Sequence, residues 1–378
     1  MGRKVCNIFS IFLVALFLLT GCQKEEEYEE PNNIDLKQRE AIEINDSIFT
    51  NQDLELKISE VSVDIDSRAE ARTCFVYEEK VFYSLDYEFF FQDPTWSDGI
   101  EFDKSYNTQI RMYDMKSGED RLLYQYDEEF CVVVLSLQYN GKTLIWEESN
   151  SHSVAWKIMA YDIEEDIKPH VLFKYGDVDG ELNSATPKIT EDSVLWYDLI
   201  KGRDYESVIY KYDFMRNNIT VLKDGIDTWT PYARITLEDN VLLTYKYQND
   251  STSIFIEKES DCVTVETLGK VEALRGNNEM CAWRKSAEKH KNIQVYDIKN
   301  DLFYYIPTDY YFSFTVLDNV IIVNQDNGVY AYNIIDKTYM SIRESEGTYC
   351  GYLFDGWNCK YSFVNEDEDS KFTIMIIK

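Results

Sequence analysis

Three basic residues stand out in a chain dominated by acids: Lys188, Arg234 and Arg275, at nearly equal intervals along the sequence. Brought to one point, such side chains hold a carboxylate or a phosphate; scattered, each pairs with a neighbouring Asp or Glu. Both readings stand on the residues alone. A second group lies between Phe89 and Asn107, where Phe89, Phe90, Phe91, Trp96, Phe102 and Tyr106 alternate with Asp93, Asp98, Glu101 and Asp103. Aromatic rings edged by acids suit a protein partner or the face of a sugar. They equally suit a loop folded over its own sheet. Trp229 and Tyr232 form a smaller pair of the same kind.

Residue types that make or break bonds are sparse. The three histidines, His152, His170 and His290, have no serine or cysteine beside them in a nucleophile setting. The sequence has no nucleophile elbow, no His-Glu-x-x-His and no glycine-rich phosphate loop. Asp177-Val178-Asp179-Gly180 and Glu366-Asp367-Glu368-Asp369 offer oxygens to a cation, but neither follows the spacing of a calcium loop, and both read as solvated turns. Cys74, Cys131, Cys262, Cys281, Cys350 and Cys359 show no zinc-binding spacing. They read as small buried residues, with a Cys350–Cys359 disulfide across a hairpin turning at Leu353–Gly356 as the alternative. No metal and no cofactor is expected.

What must position these residues is a repeat. A turn followed by an apolar strand recurs at Glu78–Val81, Asn140–Thr143, Glu191–Val194, Glu238–Val241, Asn277–Met280, Leu317–Val320 and Phe354–Trp357. Alternating with it is a strand ending in Tyr-Asp or a near equivalent: Tyr113-Asp114, Tyr161-Asp162, Tyr212-Asp213, Glu257-Lys258, Tyr296-Asp297 and Tyr332-Asn333. Mean spacings in about the mid-forties of residues match the length of one four-stranded propeller blade. The fold expected is all-β, a seven-bladed β-propeller over residues 54–378. In the third repeat the strands fall near Ala185–Ile189, Val194–Asp198, Val208–Tyr212 and Ile219–Leu222. Tyr83, Trp146, Trp196, Tyr245, Trp283 and, displaced, Trp357 recur after the first turn, where flat rings fill the wedge between blades.

The turn phrase occurs seven times and the Tyr-Asp phrase six. The seventh repeat ends in Lys371–Lys378, a third strand with nothing after it. The strand Leu54–Val63 has no partner of its own, so it is expected to pair with the C-terminal strand and complete blade seven. Closing a ring removes the exposed edge that an open array presents.

The Tyr-Asp strand ends and turn-Val-aromatic starts resemble the TolB-type and WD40-like propellers of exported bacterial proteins. Trp-Asp endings and Gly-His pairs of true WD40 repeats are absent, and such scaffolds host many unrelated activities, so no catalytic motif carries over. In a propeller the first strand of each blade lines the axial channel. That places Lys188, Arg234 and Arg275 on the inner strands of blades three, four and five, and the Phe89–Asn107 insertion on the face that usually binds.

Outside the repeat lies a leader. Arg3 and Lys4 precede the apolar run Ile8–Leu19, too short to span a bilayer comfortably, and Leu19-Thr20-Gly21-Cys22 closes it. These four residues resemble the bacterial lipobox, which implies a signal peptide over 1–21 and a diacylated Cys22 anchoring the chain to a membrane at the cell envelope or outer surface. Residues 22–53 are acidic and polar, and read as a disordered tether. Removing 1–21 takes away two of the 38 basic residues and none of the 69 acidic ones, moving the formal charge from −31 to −33. A polyanion of this size is repelled by nucleic acid. The expected function is that of a lipid-anchored binding module for an envelope protein or a glycan, without catalysis. Its competitor is a propeller enzyme, a glycan or peptide hydrolase or lyase, using carboxylates at the channel mouth.

Overall fold

The computed structural model describes residues 32–45, 47–87, 107–127, 132–150, 153–165, 168–174, 187–199, 206–227, 236–238, 241–258, 261–285, 292–308, 311–325, 328–344, 352–366 and 370–378. These residues form seven sheets, each built on four antiparallel strands that run outward from an inner strand. The protein is a seven-bladed β-propeller, and no helix occurs among the described residues. Blade one runs from Ala69–Tyr77 out to Asp120–Gln125, blade two from Val132–Tyr139 to His170–Lys174, and blade three from Lys188–Ile189 to Asn218–Asp227. Blades four, five and six begin at Thr236–Glu238, Val271–Gly276 and Tyr311–Leu317; blade seven begins at Leu353–Gly356.

Period-two patterning puts alternate side chains into opposite gaps between blades, so the core is divided by blade rather than central. Phe82 packs toward blade two with Trp146 and Tyr139, while its neighbours Val81 and Tyr83 pack toward blade seven with Phe372 and Ile374. The recurring aromatics fill these gaps as expected: Tyr83, Trp146, Trp196, Tyr245 and Trp283 are all buried. Trp196 stacks on Tyr210 at 5.6 Å and Trp283 on Phe303 at 5.8 Å.

The ring closes as the repeat count requires. Ile58–Asp64 pairs antiparallel with Lys371–Ile377, with Val63 opposite Phe372 and Val61 opposite Ile374. An early strand, Ile58–Asp64, and the last strand of the chain thus share blade seven.

The residues ahead of that strand depart from expectation. Within the presumed tether, β1 (Asn32–Asp35), β2 (Ile42–Glu43) and β3 (Thr50–Asn51) add parallel fifth strands to blades four, five and six, before β4 (Ile58–Asp64) closes blade seven. Residues 32–51 are therefore a belt on the outer rim, and the folded unit begins well before residue 54. Apolar anchors in four successive gaps hold it. Leu36 enters the gap between blades four and five; Ile44 and Phe49 enter that between five and six. Leu54 and Leu56 pack between six and seven, and Val63 between seven and one. Backbone bonds fix each contact: Leu36 N donates to Glu266 O at 2.8 Å, Ile44 N to Tyr305 O at 2.9 Å and Gln52 N to Tyr339 O at 2.9 Å. The belt covers edges that would otherwise offer unpaired backbone. The outer strands of blades one to three receive no fifth strand among the described residues, and they carry the exposed Leu122, Val171, Ile219, Val221 and Leu222.

Candidate functional site

Asp355 gathers the charges of the channel. It lies on the inner strand of blade seven, paired across the hairpin with Lys360, so both side chains leave the same face. Lys360 Nζ donates to Asp355 Oδ1 at 3.2 Å. Thr315, on the inner strand of blade six, donates to the same oxygen at 3.1 Å. Lys188, from the inner strand of blade three, reaches over to Asp355 Oδ2 at 3.5 Å. Blades three and seven are not neighbours, so this ion pair crosses the ring.

The electrostatics follow from burial and company. Asp355 is held below the usual carboxylate range: burial pushes it up, and the positive charges of Lys188 and Arg275, with the Thr315 hydroxyl, outweigh that. Lys360 moves well below the ordinary lysine range, through burial and then repulsion from Lys188. Its side chain is 5% exposed, whereas those of Lys188 and Asp355 are each 19% exposed. Lys188 and Asp355 are the members of the cluster that keep contact with the channel. Gly356 permits the approach of the strands beside them, since a Cβ there would stand 2.6 Å from Cys359 Sγ and 2.9 Å from Val76 O.

Of the three cations singled out in the sequence, Lys188 meets Asp355 and Arg275 lies near enough to act on it, its own Nη1 donating to Leu274 O at 3.0 Å. Arg234 lies outside the described residues, as do Trp96, Phe102, Tyr106, Trp229, Tyr232 and Cys22. Sequence reasoning missed Asp355 because Phe354–Trp357 reads as the seventh turn. The hairpin instead turns at Trp357–Asn358, with Asn358 at φ 53° and Gly356 paired with Cys359. Asparagine tolerates that left-handed conformation, so the strand runs on through Asp355 and Gly356. The shift also places Gly356, not a position before Leu353, opposite Cys359; Cys350 lies outside the described residues. Cys74, Cys281 and Cys359 are buried, and burial pushes the Cys359 thiol up to about 12.

A second polar group lies between blades one and two. Asp86 is 2% exposed, and neither of its carboxylate oxygens accepts a hydrogen bond of ordinary geometry. Arg72 Nε stands 3.6 Å from Oδ2. Burial raises Asp86 to about 7 against the opposing pull of Arg72 and Thr108, with Glu70 adding to the rise. Thr108 directs its own proton to Val132 O at 2.8 Å. In blade two, buried Glu148 accepts from Lys157 Nζ at 2.7 Å and from Tyr126 Oη at 2.5 Å, and Trp146 Nε1 donates to Tyr126 Oη at 2.7 Å. His170 is exposed at the start of the outer strand of blade two; His152 and His290 lie outside the described residues.

Comparison with solved structures bears on the scaffold. The β-propeller domain of the Trilobed protease from Pyrococcus furiosus, described as having an open velcro topology, matches 78% of this chain over 91% of its own, with a TM-score of 0.52 and 12% identity. Pyrococcus horikoshii acylaminoacyl peptidase matches 80% of this chain with a TM-score of 0.51 and 9% identity, and the chain spans about half of that peptidase (50%). An uncharacterized protein from Listeria monocytogenes EGD-e matches 82% of this chain over 94% of its own, with a TM-score of 0.50 and 8% identity. At such identities the likeness is one of fold. No protein-family model matches the chain, and no curated protein matches it in sequence.

Proposed function

We propose that the protein is a binding module of the cell envelope, exported and held to a membrane through lipidated Cys22, which takes its ligand at the axial channel and performs no chemistry on it. One observation carries this reading: side chains from blades three, six and seven meet around the single carboxylate of Asp355. Its ionised form is favoured by fixed positive charge, which makes it an acceptor and an anchor rather than a group that passes protons. A channel lined by donors from several blades recognises a ligand by position. A reacting pair would instead need two carboxylates with opposed proton affinities facing one cleft. Asp86 and Asp355 are shifted in opposite directions, which favours the enzyme alternative. Yet Asp86 is 2% exposed, on the second strand of blade one in the gap toward blade two, and its charge partner there is Arg72.

The test is capture from a detergent-solubilised envelope fraction, run beside a glycan array, with the wild-type chain and Lys188→Met. A retained protein or glycan that the variant loses supports the channel as the site. Identical capture by both places binding elsewhere, and turnover of an array glycan or of a peptide library replaces the binding module by the enzyme.

A further inference from the structure

We infer that the outer rim of blades one to three is a second binding surface. It takes an extended segment of a partner protein, laid across three successive sheet edges and setting an apolar residue against each.

The surface is marked by register. Tyr83, Trp146 and Trp196, the rings that recur on the second strands, pair with Arg111, Met159 and Tyr210 on the third. Those three pair in turn with Leu122, Val171 and Val221 on the outer strands of blades one, two and three. All three outer residues are exposed, at 43%, 41% and 58%. The corresponding rows, through Thr244, Trp283, Val323 and Ser362, end in Thr264, Tyr305 and Ser341 on blades four, five and six, and in Glu60 on blade seven. Blade seven also has four strands among the described residues, yet its edge presents a carboxylate, bound to Arg343 at 3.3 Å. An open edge alone therefore does not account for aliphatic side chains at one equivalent place on three consecutive blades. Ile219 and Leu222, also exposed, widen the apolar edge of blade three.

The belt is the template for what fits such an edge. β1, β2 and β3 cross blades four, five and six in chain order, each adding two to four residues in parallel and advancing eight to ten residues per blade. At the equivalent places the belt sets polar residues against polar ones: Asn33 pairs with Thr264, and Glu43 accepts from the Tyr305 hydroxyl at 2.5 Å. Blades one to three continue the rim with aliphatic residues there, so the residues set against them are apolar.

Length excludes the chain's own N-terminus as the occupant of all three edges. Processing at Cys22, as proposed above, leaves ten residues ahead of β1, which at the belt's advance reach one further edge. Half of those ten are glutamates, and Tyr28 is their single large apolar side chain. A lipid surface would cover the aliphatic groups but leave the backbone donors and acceptors of three edges unpaired. An extended partner segment meets both requirements.

The experiment places a benzophenone side chain at position 122, 171 or 221 of the full chain in its native envelope, with position 60 as control, and maps the adducts formed on illumination. The expected result is one partner polypeptide from the three rim positions and none from position 60, joined at sites that follow blade order at the belt's spacing. A synthetic peptide spanning those sites then slows amide exchange along Asp120–Gln125, His170–Lys174 and Asn218–Asp227. Its affinity for the purified chain falls at least tenfold in Val171→Lys and in Val221→Lys, whose fold is checked by circular dichroism and a cooperative melt. Adducts to residues of the same chain, to a second copy or to lipid, no adduct at all, or a peptide that leaves those amides unprotected each overturn the inference. Capture lost in Lys188→Met bears on the channel alone, so the two surfaces stand or fall separately.

Discussion

Replacing Asp86 by Asn gives a stability difference whose dependence on pH is set by one buried group. Asp86 moves from 3.8 to about 7 on folding, mainly through burial. Between those values the folded chain holds a proton that the unfolded chain has released, so wild-type stability falls as pH rises through the window. A shift of about three units at about 1.4 kcal/mol each is on the order of 4 kcal/mol, lost by about pH 8 and fully present below about pH 3.5. The amide cannot ionise, so Asp86→Asn escapes that loss, though it gives up the attraction of Arg72 at 3.6 Å. The other groups that act on Asp86, namely Arg72, Thr108 and Glu70, are common to both chains, so their titration cancels in the difference. Urea unfolding of both chains at pH 4, 5.5, 7 and 8 is the assay. The variant is expected to gain on the wild type steadily with pH, by a few kcal/mol from end to end. A gap constant with pH, or one widening toward acid, refutes the assignment of burial as the dominant effect.

The belt and the closure make two further predictions. Phe49, 1% exposed between blades five and six, is expected to lose about 3–5 kcal/mol on change to Ala, visible as a lowered urea midpoint; an unchanged midpoint would return residues 32–51 to the status of a tether. Val63→Ala in β4 removes a side chain 1% exposed opposite Phe372 and is expected to lose about 2 kcal/mol. Hydrogen exchange should then rise first along Lys371–Ile377, and exchange concentrated in a distant blade instead would contradict closure at blade seven.

What the sequence displayed and what it concealed divide along a physical line. The ring was legible because each blade repeats the same local problem. A turn must reverse the chain, as at Glu78, Gly141 and Asp318 with positive φ, and a large ring must fill a wedge, as at Trp146, Trp196 and Trp283. The count of strands then required closure by an early segment. The belt was not legible, because parallel strands of two to four residues leave no alternation to read, and their anchors are isolated apolar residues in acidic sequence. Leu36, Ile44, Leu54 and Val63, eight to ten residues apart, were the available signal, entering four successive gaps of the ring. The channel was half legible. Lys188 and Arg275 stand out by charge, but any of 69 acidic residues was a candidate partner. Which acid faces the axis depends on where the last hairpin turns, and that is decided by a single asparagine.

Closure and site also meet in one blade. Asp355 and Lys360 belong to the first and second strands of blade seven, and the fourth strand of that blade is β4, continuous with the belt. No covalent bond joins β4 to the C-terminal strand; its register rests on backbone pairs from Ile58 to Asp64 and on Val63 among Val76, Tyr83 and Phe372. The pair between Lys188 and Asp355 crosses the ring from blade three, so it too resists outward movement of blade seven. The belt holds the rim from outside and the charged cluster holds the axis from within.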